Sequence, residues 1–197
     1  MTRRFWWPVY AEFRDNGHSP EASLNLCHQV IADHPTRIAN GLRDPRCEGK
    51  LRCWIEDRTR ETLKAPEPSQ TGVGPGLVCS NEAELRNPLR LETQILTGNA
   101  IPPFQRRWAC VLLETALEKI LHLTGDSIDG MELDGLLSYL DRPLPASPLD
   151  DFPGWIRTPQ ILSLKGRFWR EVRRAVNETV TDPKLLDPEL LTLFPQP

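Results

Sequence analysis

Basic residues and one tryptophan cluster near the C-terminal end of the chain, and their chemistry is that of anion binding. The members of this cluster are Lys165, Arg167, Trp169, Arg170, Arg173 and Arg174. Guanidinium groups donate paired hydrogen bonds to the oxygens of phosphates and carboxylates. The cluster therefore predicts a surface that contacts the phosphates of a nucleic acid or an acidic protein partner. A solvated basic face without a partner is the alternative interpretation of such a run.

A helix is the element that would position these arginines. Residues 158–179 predict an amphipathic helix, because apolar residues recur in them at helical spacing. The apolar stripe comprises Leu164, Phe168, Val172, Ala175 and Val176. We expect the stripe to face the core, the arginines to project on the other side, and Trp169 to lie at the boundary between the two faces.

A second set of polar residues could bind a metal ion. Glu114, Glu118 and His122 recur every four residues, so they share one face of a predicted helix. Carboxylates and imidazole are common metal ligands, but helical spacing alone brings at most two of them onto one ion. The favoured alternative is that they form the solvent face of a core helix, and we expect neither a metal nor another cofactor.

Residues 126–133 read DSIDGMEL and resemble the segment of acyl carrier proteins that bears the phosphopantetheine group. The resemblance implies that Ser127 is the attachment site and that Glu132 belongs to the acidic face read by partner enzymes. It covers only these residues, and the loop that precedes the serine in that family is long, whereas here it is short. The alternative is a capping box that starts a helix at Asp129.

Residues 20–64 predict three helices with the number and lengths of a helix-turn-helix DNA-binding unit. Arg46, Lys50 and Arg52 would then lie early in the third helix, where a recognition helix contacts bases. The turn at 43–45 lacks the usual glycine, and the third helix also carries acids. A plain helical bundle is therefore the favoured alternative.

The most apolar segment of the chain predicts a central helix over residues 104–123. Its apolar positions cover more than half of a helical wheel, which is typical of a helix in the middle of a bundle. They are Trp108, Ala109, Leu112, Leu113, Ala116, Leu117, Ile120, Leu121 and Leu123. Strand signals are poor because no segment alternates for long. The sequence predicts an all-α fold, an irregular helical bundle around this helix with proline-rich loops.

Breaks in composition divide the chain into three parts. Residues 65–79 are rich in Pro, Gly and Ser, which predicts a linker. We therefore expect a small N-terminal helical unit at 1–64 and a main helical domain at 80–197. In the first unit, Ser19 followed by Pro20 predicts a helix start, and a cluster at Trp6 predicts either a hydrophobic lid or an exposed patch.

Composition limits the classes of function. The 197 residues carry a net charge of −3, which gives no overall attraction to nucleic acid or anionic lipid. The sequence contains no apolar run of about 18 residues, so it predicts no membrane span. The N-terminus also lacks the apolar stretch of a signal peptide. Five cysteines without an export signal indicate reduced thiols and a cytoplasmic protein.

No spacing of Ser, Cys, His and Asp nominates a catalytic set or a small-molecule substrate. The sequence therefore favours a non-enzymatic accessory or adaptor protein that binds a macromolecule, either protein or nucleic acid, through the arginine-rich helix face. The helix-turn-helix, carrier and metal-dependent interpretations stay open as alternatives.

Overall fold

The computed structural model describes residues 5–31, 43, 45–65, 101–124 and 159–194. Within these ranges the fold is all-α, as predicted, and no strand occurs. The helices are α1 Trp6–Asp15, α2 Pro20–Ile31, α3 Leu51–Lys64, α4 Pro103–Thr124, α5 Pro159–Asn177 and α6 Leu186–Leu193. Two short 3-10 helices, Pro45–Cys47 and Pro183–Leu185, precede α3 and α6.

Helix α4 is the central helix that the apolar pattern predicts. It packs against α1, α3, α5 and α6, so it buries side chains on several sides at once. Trp108, Leu113 and Leu117 are completely buried. The pattern overestimates the buried length at one end, because Leu123 in the last turn is 57% exposed.

Helix α5 packs against α4 and α6 through the predicted apolar stripe. Leu164, Phe168, Val172 and Val176 are buried. The register of the helix is therefore the predicted one, and the opposite side of α5 faces away from the core.

Helix α2 begins where the sequence predicts. The hydroxyl of Ser19 accepts a hydrogen bond of 3.2 Å from the backbone N–H of Ala22, and Pro20 is the first helical residue. Cys27 and Val30 of this helix are buried. The second of the three helices predicted within residues 20–64 would span residues 36–43, of which the structure describes only Arg43.

The start of α3 differs from the prediction, which placed it near Arg46. Glu48 and Gly49 adopt positive φ values of 50° and 73°, which interrupt a right-handed helix. Gly49 also pairs with the segment before α6, since its carbonyl accepts a 2.9 Å hydrogen bond from the N–H of Thr181. A Cβ at Gly49 would clash with the hydroxyl oxygen of Thr181, and φ is positive there, so glycine suits this position.

The sequence did not predict helix α1, only an apolar cluster. Trp6 and Tyr10 lie on α1 and are buried, so the cluster packs down instead of forming an exposed patch. Pro8 is tolerated because it lies in the first turn, where its missing N–H costs no helical hydrogen bond. Arg107 of α4 pairs with Glu12 and Asp15, which ties α1 to the central helix.

One hydrophobic core joins buried residues from all of the described helices. The predicted linker at 65–79 lies outside the described residues except for Ala65, and the division into two helical parts stays a prediction. Among the described helices, none has both the length and the apolar character required to cross a lipid bilayer.

Candidate functional site

The candidate site is the outward side of α5, which we call the α5 arginine face and define as Arg167, Arg170, Arg173 and Arg174. Arg170, Arg173 and Arg174 are exposed and Arg167 is half-buried. The apolar stripe on the other side of α5 is packed. A rigid helix therefore presents several guanidinium groups to solvent.

Two residues of this face form surface ion pairs. Arg173 Nη2 lies 2.7 Å from Asp187 Oδ1 of α6, and Arg174 Nη1 lies 3.7 Å from Glu171 Oε2. Pairs this exposed contribute about 0–1 kcal/mol, so an incoming anion can replace them. Within the described part of the chain, Arg167 and Arg170 form no ion pair.

Lys165 and Trp169 also belong to the predicted site. The structure buries Lys165 and leaves Trp169 half-buried, as expected for a residue at the boundary between the two faces. Lys165 is only 6% exposed, and burial lowers the pKa of its ammonium group. It lies seven residues before the buried Val172, so the two share a face by helical geometry. Trp169 is half-buried, and its ring meets Phe168 and Phe194 edge-on at centroid distances of 5.7 and 5.8 Å.

A second group of charged residues is mostly buried, and we call it the Arg52 cluster: Arg52, Glu56 and Glu189 are buried, and Arg60 is exposed. Arg52 Nε and Nη2 donate to the two carboxylate oxygens of Glu189 at 2.7 and 3.1 Å. Arg52 Nη1 also donates to Glu56 at 3.4 Å, and Arg60 donates to the other oxygen of Glu56. Neither Arg52 nor Glu189 is exposed by more than 4%. The cluster therefore joins α3 to α6.

Burial and pairing act in opposite directions on these groups. Burial alone would lower the pKa of Arg52, but its hydrogen bonds to Glu189 and the attraction between their charges outweigh burial and raise it. For Glu56, burial outweighs the attraction of Arg60 and Arg52, so its pKa is raised. Burial likewise raises the pKa of the Cys53 thiol, which disfavours a reactive thiolate.

The Arg52 cluster changes the interpretation of residues 20–64. A recognition helix would present Arg46, Lys50 and Arg52 to DNA, but Arg52 points into the fold and is saturated by Glu189. Lys50 pairs with Glu48 at 2.9 Å, and its backbone forms an isolated antiparallel bridge with Val180. The sequence did not predict the pairing of Arg52 with Glu189, because the two residues are 137 positions apart in the chain.

The three proposed metal ligands differ in exposure. Glu114 is buried, whereas Glu118 and His122 are exposed. In the ranges that the structure describes, no group of three or more metal-ligating side chains could hold an ion. Ser127, Glu132 and the acids near them lie outside the described residues, so the carrier hypothesis stays a prediction.

Comparisons with protein-family models, with curated proteins and with solved structures find no match to this chain. The assignment of function therefore depends on the geometry of the chain's own surfaces.

Proposed function

We propose that this protein is a non-enzymatic accessory or adaptor protein that binds a macromolecular partner through the α5 arginine face. The partner supplies phosphate or carboxylate oxygens, which the guanidinium groups bind by charge-assisted hydrogen bonds.

The observation that carries the proposal is the exposure of Arg170, Arg173 and Arg174 on a helix whose other side is packed into the core. Because packing holds the helix backbone, only the arginine side chains must be ordered when a partner binds. The ion pairs of Arg173 and Arg174 are weak enough for an anion of the partner to replace the carboxylates that they bind now.

A cytoplasmic location fits the same proposal. Among the described residues, no disulfide bond joins Cys27, Cys47, Cys53 or Cys110. Cysteines that are not joined by disulfide bonds are typical of proteins in a reducing compartment.

The test is a pull-down from lysate of the native host, with and without nuclease treatment. We expect the double reversal R170E/R174E to keep the fold and to lose the partner, because two attractive contacts become repulsive. Thermal unfolding of the variant checks that the fold is intact.

The matched control is K64E/K119E, which makes the same change in net charge at exposed lysines of α3 and α4. It should retain the partner. Equal recovery of the partner by the wild type and by R170E/R174E would remove the α5 arginine face as the binding surface.

A further inference from the structure

We infer that the partner of the α5 arginine face is an acidic protein segment and not a nucleic acid, and that Asp187 competes with this partner within the chain. This inference rests on the proposed function and adds the class of partner and a regulatory contact.

The first argument is the acidic rim of the face. Glu171 lies within the helix among the arginines, Glu178 follows its last residue, and Asp187 of α6 lies against Arg173. Glu178 and Asp187 are exposed. A DNA duplex carries about one negative charge per 1.7 Å of its length, so it would bring phosphates against these carboxylates. A protein segment with separate acidic side chains can pair with the arginines and avoid the rim.

The second argument is the size of the face. Arg167 and Arg174 are seven residues apart in one helix, which is about 10.5 Å along the axis at 1.5 Å per residue. Arg170 lies between them. Carboxylates that recur every three or four residues on an acidic helix span the same distance with the same intervals. The face therefore matches a short acidic helix.

The third argument concerns the aromatic residue of the predicted site. Proteins that bind single-stranded nucleic acids stack bases on exposed aromatic rings. Trp169 is half-buried, and Phe168 and Phe194 meet its ring edge-on. The ring is thus part of the packing between α5 and the end of α6, which leaves less of it accessible for stacking than a fully exposed ring would offer.

The fourth argument is that a carboxylate already binds this surface. Asp187 Oδ1 lies 2.7 Å from Arg173 Nη2, and both side chains are more than half exposed. The chain itself thereby shows which anion the face accepts. Because a partner carboxylate must displace Asp187 to reach Arg173, Asp187 lowers the affinity for the partner.

The test measures binding of the full chain to two labelled probes by fluorescence anisotropy at low salt. The probes are a polyglutamate peptide and a single-stranded oligonucleotide of equal net charge. We expect the peptide to bind more tightly than the oligonucleotide, and R170E/R174E to weaken peptide binding by at least about tenfold.

The variant D187N tests whether the carboxylate of Asp187 competes with the peptide for Arg173. We expect it to tighten peptide binding by about 1.4- to fivefold, which is the range for removal of one exposed ion pair. E21Q on α2 makes the same change in net charge at an exposed site, and we expect it to leave binding unchanged. Equal effects of D187N and E21Q would overturn the role of Asp187.

Two further outcomes separate the inference from the proposed function. If the oligonucleotide binds as tightly as the peptide and R170E/R174E weakens both, the acidic-protein inference is wrong and the binding function stands. If R170E/R174E weakens neither probe, the α5 arginine face is not a binding surface and both proposals are wrong.

Discussion

Arg52 and Arg173 both pair with a carboxylate of the short helix α6, Arg52 with Glu189 and Arg173 with Asp187. The shortest nitrogen–oxygen distance is 2.7 Å in each pair. The side chains of the first pair are 5% and 0% exposed, whereas those of the second are 53% and 69% exposed. Equal distances therefore accompany very different surroundings.

The difference shows that burial decides the role of an arginine in this fold. In the interior, the loss of one partner leaves a charge unpaired and away from water, so Arg52 and Glu189 depend on each other. At the surface, water compensates a lost partner, so the α5 arginine face is free to exchange its anions. The two regions predict different responses to mutation.

The largest effect is expected for R52M, which removes the partner of the buried Glu189. We expect the free energy of unfolding to fall by about 3–5 kcal/mol, because the carboxylate is left buried without a counter-charge. Urea denaturation followed by circular dichroism measures the change.

R170M is the matched control, since it makes the same replacement on the exposed face. It should change stability by less than about 0.5 kcal/mol. The double variant R52M/E189M removes both buried charges and should recover much of the lost stability. A cost of less than 1 kcal/mol for R52M would contradict the contrast between the two regions.

The next effect concerns the contact between Gly49, just before α3, and Thr181, just before α6. We expect G49A to lower the free energy of unfolding by about 1–3 kcal/mol, because the added Cβ meets Thr181 and the positive φ disfavours alanine. G17A, at another glycine with positive φ but open space around it, controls for the backbone conformation alone. If the two variants lose equal stability, the contact with Thr181 is unimportant.

A smaller effect is expected at Glu56, and it depends on pH. Burial raises the pKa of Glu56 in the folded chain above the ordinary value of 4.5. Its protonation therefore favours the folded state, a contribution that is complete below pH 4.5 and is lost as pH rises through the folded pKa. Glutamine has no such titration, so the wild type should gain stability relative to E56Q as the pH is lowered toward 4.5.

Urea denaturation of both proteins across this range measures the relative stability. At neutral pH we expect the free energies of unfolding of E56Q and the wild type to differ by only about 1 kcal/mol. The difference is small because the amide oxygen of glutamine still accepts a hydrogen bond. A stability difference that grows in favour of E56Q on acidification would show that the pairing with Arg52 and Arg60 dominates over burial.

The smallest effect on stability is expected for D187N. Removal of this exposed ion pair should lower the free energy of unfolding by about 0.2–1 kcal/mol. Thermal unfolding at low and high salt measures it, and the difference should diminish as salt screens the pair. A loss as large as that of R52M would place Asp187 among the structural residues and not at an exchangeable surface.

Local patterns in the sequence were sufficient for the helices that position the site. The apolar repeat of residues 104–123 predicts α4, the Ser19–Pro20 pair predicts the start of α2, and the stripe from Leu164 to Val176 predicts the register of α5. They succeed because capping and amphipathic spacing depend on neighbours within a few residues. The exposure of Arg170, Arg173 and Arg174 follows from the same register.

Tertiary contacts decided the features that the sequence did not show. From the sequence, Arg52 resembles a surface residue of a charged helix. In the folded chain it pairs with Glu189, which is distant in the sequence. The start of α3 depends on the segment at Thr181, and the burial of Lys165 depends on how deeply α5 packs. Helical periodicity thus determined which residues share a face, but only the packing of distant segments determined which charges are removed from water.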